Sequence, residues 1–308
     1  MNITILGAAG FIGTNLVLEL AKKHSLTLVD RKIDYFDSIK KLNLDVTYKE
    51  MSFNIEDNFD VLLENTDIVY HLVSTTVPGT ANQHISEELM ANVVMTSKLL
   101  EACVRQKVKK VVFISSGGTV YGKEVTCPIS ENSVANPISS YGIQKLTIEK
   151  LLYLYKYLYN LDYRVIRLAN PYGPYQRPNG VLGVVTTFTY KAIHNEDIIV
   201  YGDGSVVRDF IFIDDAIRGI LNIVDYEGEY KIFNLGQGKG TSINEVIHEI
   251  QIVTGKKLNV RYVSSRTADV PVNYLDISRY ENECGKLNPI SLNAGIKNTI
   301  AFMKGTQL

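Results

Sequence analysis

The chain has 308 residues, of which 45% are hydrophobic and 21% charged, a composition typical of a globular protein with one large or two ordinary domains. Its formal net charge of −1 gives no reason to expect nucleic acid or an anionic membrane as a partner. Three separated cysteines indicate neither a disulfide framework nor a metal site. We expect a cytoplasmic protein, because the sequence suggests no signal peptide and no bilayer-spanning stretch.

Short, β-branched apolar runs alternate with longer segments that carry apolar residues at helical spacing. Nearly continuous apolar strands are typical of a parallel sheet buried on both faces, and strand–helix alternation implies right-handed crossovers. The pattern therefore predicts a Rossmann-like, doubly wound α/β fold. The predicted strands are 2–6, 26–30, 67–73, 109–115 and 163–169, and the predicted helices are 13–23, 85–106 and 141–159.

The chain changes character at about residue 170. Residues 170–180 are rich in proline and glycine, and the elements that follow are shorter. We therefore predict a Rossmann domain over 1–170, rejoined by about 206–235, and a smaller α/β lobe over 171–308. A cleft between two lobes is a usual place for a ligand.

Three glycines, Gly7, Gly10 and Gly13, follow the first predicted strand in the sequence GAAGFIG. One glycine lets the chain turn tightly, another lets backbone N–H groups approach an anion, and a third lets the next helix pack close to the sheet. The helix N-terminus offers unpaired donors to a pyrophosphate. The spacing therefore predicts a dinucleotide site, and a glycine-rich turn without a ligand is the alternative.

Asp30 ends the second predicted strand. A carboxylate there accepts hydrogen bonds from a ribose 2′-hydroxyl and repels a 2′-phosphate, so NAD is favoured over NADP. Arg31 follows and is able to accommodate a phosphate, which keeps NADP as the alternative.

Tyr141 and Lys145 lie in the sequence SSYGIQK at the start of the third predicted helix. Residues four apart share one face of a helix, and an ammonium beside a tyrosine hydroxyl favours the phenolate. We therefore expect Lys145, together with an oxidised nicotinamide, to lower the pKa of Tyr141 from about 10 toward 7, so that the phenolate removes a proton from a sugar hydroxyl.

These motifs together resemble one enzyme family. The chain is similar to the extended short-chain dehydrogenases/reductases of the NAD-dependent epimerase/dehydratase family, and within it to UDP-glucose 4-epimerases. The resemblance runs from Gly7 to about Asp276. It is carried by GAAGFIG, VYHLVS, Asn92, FISSGGTVYG, SSYGIQK, RLANPYGPYQ, VYGDGSVVRDFIFIDD and RTAD.

The resemblance implies that NAD binds the first lobe and that a UDP-sugar binds the second. Tyr141 matches the catalytic base, and Lys145 matches its partner, which also contacts the nicotinamide ribose. The other implied cofactor-binding residues are Gly7, Gly10, Phe11, Ile12, Gly13, Asp30, Arg31, Asn54, Ile55, Leu72, Asn92, Ser115 and Pro171.

The resemblance also implies a substrate site in the second lobe. Arg208 matches the arginine that meets the UDP phosphates, for which a guanidinium fork is suited. Asn170 matches the residue beside the pyrophosphate, and Tyr201 lies where the family packs the uracil. Arg266 and Asp269 match the pair that contacts phosphate and uridine ribose.

Two positions depart from the family pattern. Asn54 precedes Ile55 where an aspartate is usual, and its amide is still able to pair with adenine. Gly117 replaces the usual serine or threonine, so the active-site hydroxyl is expected from Ser116 or Thr119. We favour Thr119, because alternate residues of an extended stretch point the same way, unless the two glycines break the alternation, as they readily do.

The residues around Gly117 also bear on the reaction. Dehydratases of this family carry Asp-Glu in this loop and uronate decarboxylases carry a glutamate, whereas this chain has Gly117-Gly118-Thr119. One base and one hydride acceptor suffice for 4-epimerisation of a UDP-hexose of the UDP-glucose/UDP-galactose type. The alternatives are an epimerase or reductase of a UDP-N-acetylhexosamine or UDP-uronate, and a noncatalytic NAD-binding regulator.

The helix that carries Tyr141 continues into the sequence KLLYLYKYLYNLDY. It holds more tyrosine and leucine than one face buries against a sheet. Such an apolar, aromatic surplus is typical of an interface, so we predict a homodimer, with burial within the monomer as the alternative.

Overall fold

A computed structural model describes residues 1–76, 79, 81–178, 183–265 and 270–306. The chain divides into two compact units. The first comprises Met1–Val120, Ala135–Ile166 and Glu229–Ile232, and the second comprises the rest. The observed division differs from the predicted boundaries in two places. Residues 121–134 and most of 206–235 belong to the second unit, and the segment that returns to the first unit is only Glu229–Ile232. The binding roles of the two units remain predictions.

The first unit alternates strands and helices, as the apolar pattern predicts. The predicted helix over 85–106 is divided by a π-helical turn. The elements in chain order are β1 (Asn2–Leu6), α1 (Phe11–Leu20), β2 (Ser25–Asp30), a 3-10 turn (Ile33–Phe36), α2 (Asp37–Lys40), β3 (Val46–Glu50), α3 (Phe59–Leu62), β4 (Ile68–His71), α4 (Ile85–Leu89), the π-helical turn (Met90–Val94), α5 (Met95–Arg105), β5 (Lys110–Ser116), α6 (Ser140–Tyr159) and β6 (Asp162–Leu168), whose last two residues belong to the second unit.

The second unit is built from shorter elements. They form a parallel pair, a three-stranded sheet and a second parallel pair. The elements in chain order are β7 (Asn170–Tyr172), α7 (Val184–His194), β8 (Ile198–Tyr201), β9 (Val207–Arg208), β10 (Phe210–Phe212), α8 (Ile213–Asp225), β11 (Ile232–Leu235), β12 (Thr241–Ser242), α9 (Ile243–Thr254), β13 (Val260–Val263), β14 (Val272–Asn273), α10 (Ser278–Cys284) and α11 (Leu292–Thr306).

A seven-stranded sheet has the strand order β11-β6-β5-β4-β1-β2-β3. β1 pairs in parallel with both β2 and β4, so the strand order reverses beside β1. In open α/β sheets a ligand binds at the carboxyl ends of the strands where the order reverses. The doubly wound fold predicted from the sequence is confirmed, and its binding edge lies after Leu6, Asp30 and His71.

The turn after β5 differs from the prediction. β5 ends at Ser116, and the N–H of Val120 donates to the Ser116 carbonyl at 3.2 Å. Residues 117–119 therefore form a turn, in which two glycines are readily accommodated. The expectation that side chains alternate in direction through Thr119 is wrong, because β5 ends at Ser116.

Among the described residues, no helix is both long enough and apolar enough to cross a membrane.

The close approach of α1 to the β1 turn predicts the result of one substitution. A Cβ at Gly13 would lie 2.4 Å from the Gly7 carbonyl oxygen and 2.7 Å from the Ala8 Cα, and backbone has little room to move. Gly13→Ala is therefore expected to lower the free energy of unfolding by about 1–3 kcal/mol, measured by denaturant titration. Gly305→Ala in α11 is the control, because its Cβ would meet no described heavy atom within 4 Å. Equal stability of the two variants would contradict this packing.

The exposed side of α6 carries the predicted dimer surface. Tyr153, Leu154, Tyr157 and Leu158 are all exposed, and their spacing of four places them on one side of the helix. We expect light scattering at micromolar concentration to give twice the chain mass of 34.5 kDa, and Tyr157→Lys to shift the mass toward the monomer. Val134→Lys is the matched control, because Val134 and Tyr157 are both 78% exposed. A monomer mass for the unaltered protein would overturn the dimer.

Candidate active site

The glycine turn leaves the N-terminus of α1 open to an anion. Gly7 has a φ of +81°, and its N–H and that of Ala8 donate to the Val29 carbonyl at 2.9 and 3.1 Å. Gly10 lies at the N-cap and provides no side-chain cap. The N–H groups of Phe11 and its neighbours in the first turn have no intrahelical acceptor, so they and the helix dipole suit a pyrophosphate.

Asp30 has a second role that the sequence did not reveal. One carboxylate oxygen accepts the N–H of Ala9, within the glycine turn, at 3.0 Å, and the other accepts the N–H of Arg31 at 2.8 Å. Each carboxylate oxygen accepts more than one hydrogen bond, so the carboxylate also retains capacity for a ribose hydroxyl. Asp30 thus fixes the turn and presents a negative charge at the binding edge.

The remaining cofactor-site predictions lie in different places. Asn54 and Ile55 are exposed beyond β3, and the side-chain oxygen of Asn54 accepts the Glu56 N–H at 2.9 Å. Leu72 follows β4, and its carbonyl carbon would lie 3.3 Å from a Cβ at Gly7, so it lines the glycine turn. Pro171 lies in β7, in the second unit.

Asn92 lies in the π-helical turn and binds the segment that follows β4. Its side-chain nitrogen donates to Thr75 Oγ1 at 2.8 Å and to Gln144 Oε1 at 2.8 Å, and its side-chain oxygen accepts the Thr75 N–H at 2.9 Å. Gln144, next to Lys145, also donates to Glu88 at 3.1 Å. The structure therefore places Asn92 as a link between the segment after β4 and the helix that carries Tyr141 and Lys145.

Lys145 is buried against β5. Its Nζ donates to the Ile114 carbonyl at 2.9 Å and lies 4.7 Å from the centroid of the Phe113 ring and 5.5 Å from that of the Tyr141 ring. Burial lowers the pKa of Lys145 to about 8. The structure thus brings the two predicted catalytic side chains together.

Burial raises the pKa of Tyr141 to about 12. The lowering toward 7 was expected with an oxidised nicotinamide bound as well, so it stays a prediction for the protein with NAD, and Lys145 alone does not produce it. The physical reason is that a buried phenolate loses its hydration, and the Lys145 ammonium, which donates to the Ile114 carbonyl, does not offset that loss.

The three hydroxyl residues near Gly117 differ in their contacts. Ser115, at the end of β5, donates to Glu149 at 2.5 Å. The Thr119 hydroxyl is buried and has no hydrogen-bond partner among the described residues, and Ser116 is partly buried. A Cβ at Gly142 would lie 2.7 Å from the Thr119 carbonyl oxygen, so this turn packs directly on α6 beside Tyr141.

The second unit holds the predicted substrate residues that the structure describes. Arg208 donates to the Val270 carbonyl at 2.7 Å, and Asn170 donates through its side chain to the Asp209 carbonyl at 2.9 Å. Tyr201 is exposed at the end of β8. Two further predicted substrate residues lie outside the described residues, namely Arg266 and Asp269.

Asp209, next to Arg208, is a buried carboxylate that the sequence analysis did not single out. It accepts the N–H groups of Gln237 at 2.7 Å, and of Gly238 and Leu275 at 3.2 Å. Burial raises the pKa of Asp209 to about 6, and the three N–H donors oppose that rise. These contacts anchor the backbone on which Arg208 and Asn170 lie.

The sequence profile of the NAD dependent epimerase/dehydratase family matches residues 3–236, which is most of the chain. The chain belongs to this family. Its cofactor is therefore NAD, as the glycine turn and Asp30 indicated.

Members of this family with different substrates resemble the chain. A putative UDP-glucose 4-epimerase from Methanocaldococcus jannaschii is 31% identical over 98% of both chains. A UDP-glucose 4-epimerase from Thermotoga maritima, solved with UDP-glucose, is 31% identical with a TM-score of 0.92 and covers 100% of both chains. A UDP-glucuronic acid 4-epimerase from Bacillus cereus, solved with UDP-glucuronic acid and NAD, is 26% identical with a TM-score of 0.90 and covers 99% of both.

Sequence reasoning missed Glu149 and Gln144, which lie on the helix of the predicted catalytic pair, and Glu88, which contacts Gln144. Glu149 follows Lys145 at the same spacing of four that joins Lys145 to Tyr141, so the spacing itself was a usable signal. Gln144 and Glu88 lie on different helices, and no local pattern indicates that they meet.

Proposed function

We propose that the chain is an NAD-dependent 4-epimerase of a UDP-hexose of the UDP-glucose/UDP-galactose type. One observation carries this proposal. Tyr141 and Lys145 lie together, and the neighbouring turn, Gly117-Gly118-Thr119, contains no carboxylate. Elimination of water needs an acid and a base at this turn, whereas epimerisation at C4 needs one proton acceptor and a reversible hydride acceptor. The chain's residues therefore favour epimerisation over dehydration.

The residues present fit NAD. The open α1 N-terminus suits the pyrophosphate, the tight packing at Gly13 keeps side chains out of the turn, and Asp30 presents acceptors to a ribose. When bound, NAD supplies a reversible hydride acceptor. Lys145, Leu72 and Asn92 are the residues to which we assign the nicotinamide end.

Tyr141 takes the proton from the C4 hydroxyl and later returns it. Bringing its pKa from about 12 to 7 needs about 7 kcal/mol of preferential phenolate stabilisation, at about 1.4 kcal/mol per pKa unit. The Lys145 Nζ lies 5.5 Å from the centroid of the Tyr141 ring, and a unit charge at about that distance supplies about 3 kcal/mol at an effective dielectric constant of about 20. Lys145 alone is therefore insufficient, and the remainder must come with the bound ligands.

We assign the UDP portion to the second unit. Arg208 is the residue for the diphosphate, because its fork suits two phosphate oxygens, and Asn170 is assigned beside it. Tyr201, which is exposed, is assigned to the uracil ring. Arg266 and Asp269 are assigned to phosphate and ribose by the resemblance alone.

The test is incubation of the purified protein with UDP-galactose, with UDP-glucose read out by a coupled dehydrogenase. We expect turnover, and Tyr141→Phe should reduce it by about 100-fold or more while NAD binding, measured by calorimetry, is retained. Turnover of UDP-N-acetylhexosamines or UDP-uronates alone would reassign the substrate. Absence of turnover with every UDP-sugar, together with NAD binding, would favour the regulator.

The hydroxyl of Thr119, which is buried and has no partner within the described part of the chain, predicts a second kinetic result. Thr119→Val should lower turnover by about 100-fold, because this hydroxyl is assigned to the reacting oxygen of the sugar. Ser116→Ala, at the end of β5, is the matched control and should retain most activity. The reverse pattern would assign the role to Ser116, and full activity in both variants would show that the reaction needs neither hydroxyl.

A further inference from the structure

A third ionisable side chain follows the catalytic pair on α6. Tyr141, Lys145 and Glu149 are spaced by four, so they share one face of the helix. Lys145 is only 6% exposed and Glu149 only 2%. A buried carboxylate is costly unless hydrogen bonds or an opposite charge stabilise it, so its place beside Lys145 needs a physical reason.

Glu149 is held on β5 by a short hydrogen bond. The Ser115 hydroxyl donates to its carboxylate at 2.5 Å, one residue beyond the Ile114 carbonyl that accepts from Lys145 at 2.9 Å. Ile114 and Ser115, adjacent residues of β5, therefore hold Lys145 and Glu149 respectively. Burial raises the pKa of Tyr163 on β6 to about 12, and the charge of Glu149 is one of the smaller contributions to that rise.

The surroundings of Lys145 provide little other compensation for its charge. Among the described titratable groups that face it, Tyr141 on α6 is neutral, because burial raises its pKa to about 12. His71 on β4 is neutral as well, because burial, followed by the Lys145 charge, lowers its pKa to about 3. On the strand side, Lys145 meets a carbonyl and the Phe113 ring. Glu149 is therefore the negative charge that opposes the loss of the proton from Lys145.

We propose that Glu149 is a positioning residue of the catalytic pair, whose carboxylate, held by Ser115, keeps the Lys145 ammonium charged in the neutral pH range. The inference rests on the proposed function only for its kinetic consequence. The protonation of Lys145 is a property of the protein alone and is measurable without a substrate.

The protonation of Lys145 is sensitive to a nearby charge, because its pKa lies close to neutral pH. With a pKa of about 8, its ammonium is mostly charged at pH 7. Loss of a neighbouring opposite charge shifts a pKa by about 1–3 units, which would leave Lys145 half charged or less at pH 7. A neutral Lys145 no longer stabilises the phenolate of Tyr141.

The experiment is an NMR titration of the protein labelled with ¹³Cε-lysine, in which the Lys145 signal is identified by its absence from Lys145→Met. We expect Glu149→Gln to lower the pKa of Lys145 by about one unit or more, and Glu149→Asp to restore most of it, because it retains the charge. Glu19→Gln is the control, since Glu19 is exposed on α1 and pairs with Lys22. Thermal unfolding confirms that each variant is folded.

If Glu149→Gln does not fold, Ser115→Ala replaces it and should give a smaller shift in the same direction. The alkaline limb of kcat/KM should move to lower pH by the same amount as the Lys145 pKa, which a merely structural defect would not produce. An unchanged Lys145 pKa in a folded Glu149→Gln or Ser115→Ala variant would overturn the proposal. Failure of the proposed function would instead appear as absence of turnover, with the NMR shift intact.

Discussion

The packing of α6 on β5 is the contact on which the candidate site depends. One face of this helix carries Tyr141, Lys145 and Glu149, and the strand supplies a carbonyl and a hydroxyl that hold two of them. Gly142 allows the turn after β5 to approach α6, because a Cβ there would collide with the Thr119 carbonyl. A shift of the helix by one residue would separate all these groups, so the chemistry is tied to the register of one helix on one strand.

Burial shifts the pKa values of the two members of the pair in opposite directions, and both shifts favour the neutral form. It raises the pKa of Tyr141 and lowers that of Lys145, because a low-dielectric environment disfavours either charge. In the protein without ligands, Tyr141 is therefore a poor base, and Lys145 loses its proton more readily than an exposed lysine does. In the proposed reaction, proton transfer to Tyr141 would therefore depend on the further charge that bound ligands supply.

The sequence predicts the fold well, because buried parallel strands leave a direct signal. The β-branched runs of β1, β4 and β5 have few alternatives to a central position, and the glycine turn fixes where the first helix begins. The predicted Tyr141–Lys145 pair is likewise local, since a helix places residues four apart together. Both features depend on short stretches of chain.

The features that sequence reasoning missed depend on contacts between distant segments. Asn92 meets Gln144 only because a π-helical turn and α6 lie side by side, and neither segment shows this in its own pattern. The argument from alternating side chains assumed that the strand continues through Thr119, whereas β5 ends at Ser116 and a turn follows. The pKa of Tyr141 depends on how deeply the fold buries it, which spacing does not reveal.

Asp30 links cofactor choice to the architecture of the loop. Its carboxylate accepts the Ala9 N–H and is the group assigned to the ribose. A protein engineer who replaces Asp30 to admit a phosphorylated cofactor would also remove an anchor from the glycine turn. Changing the cofactor preference therefore calls for another acceptor for the Ala9 N–H. The cofactor preference and the stability of the glycine turn have to be redesigned together.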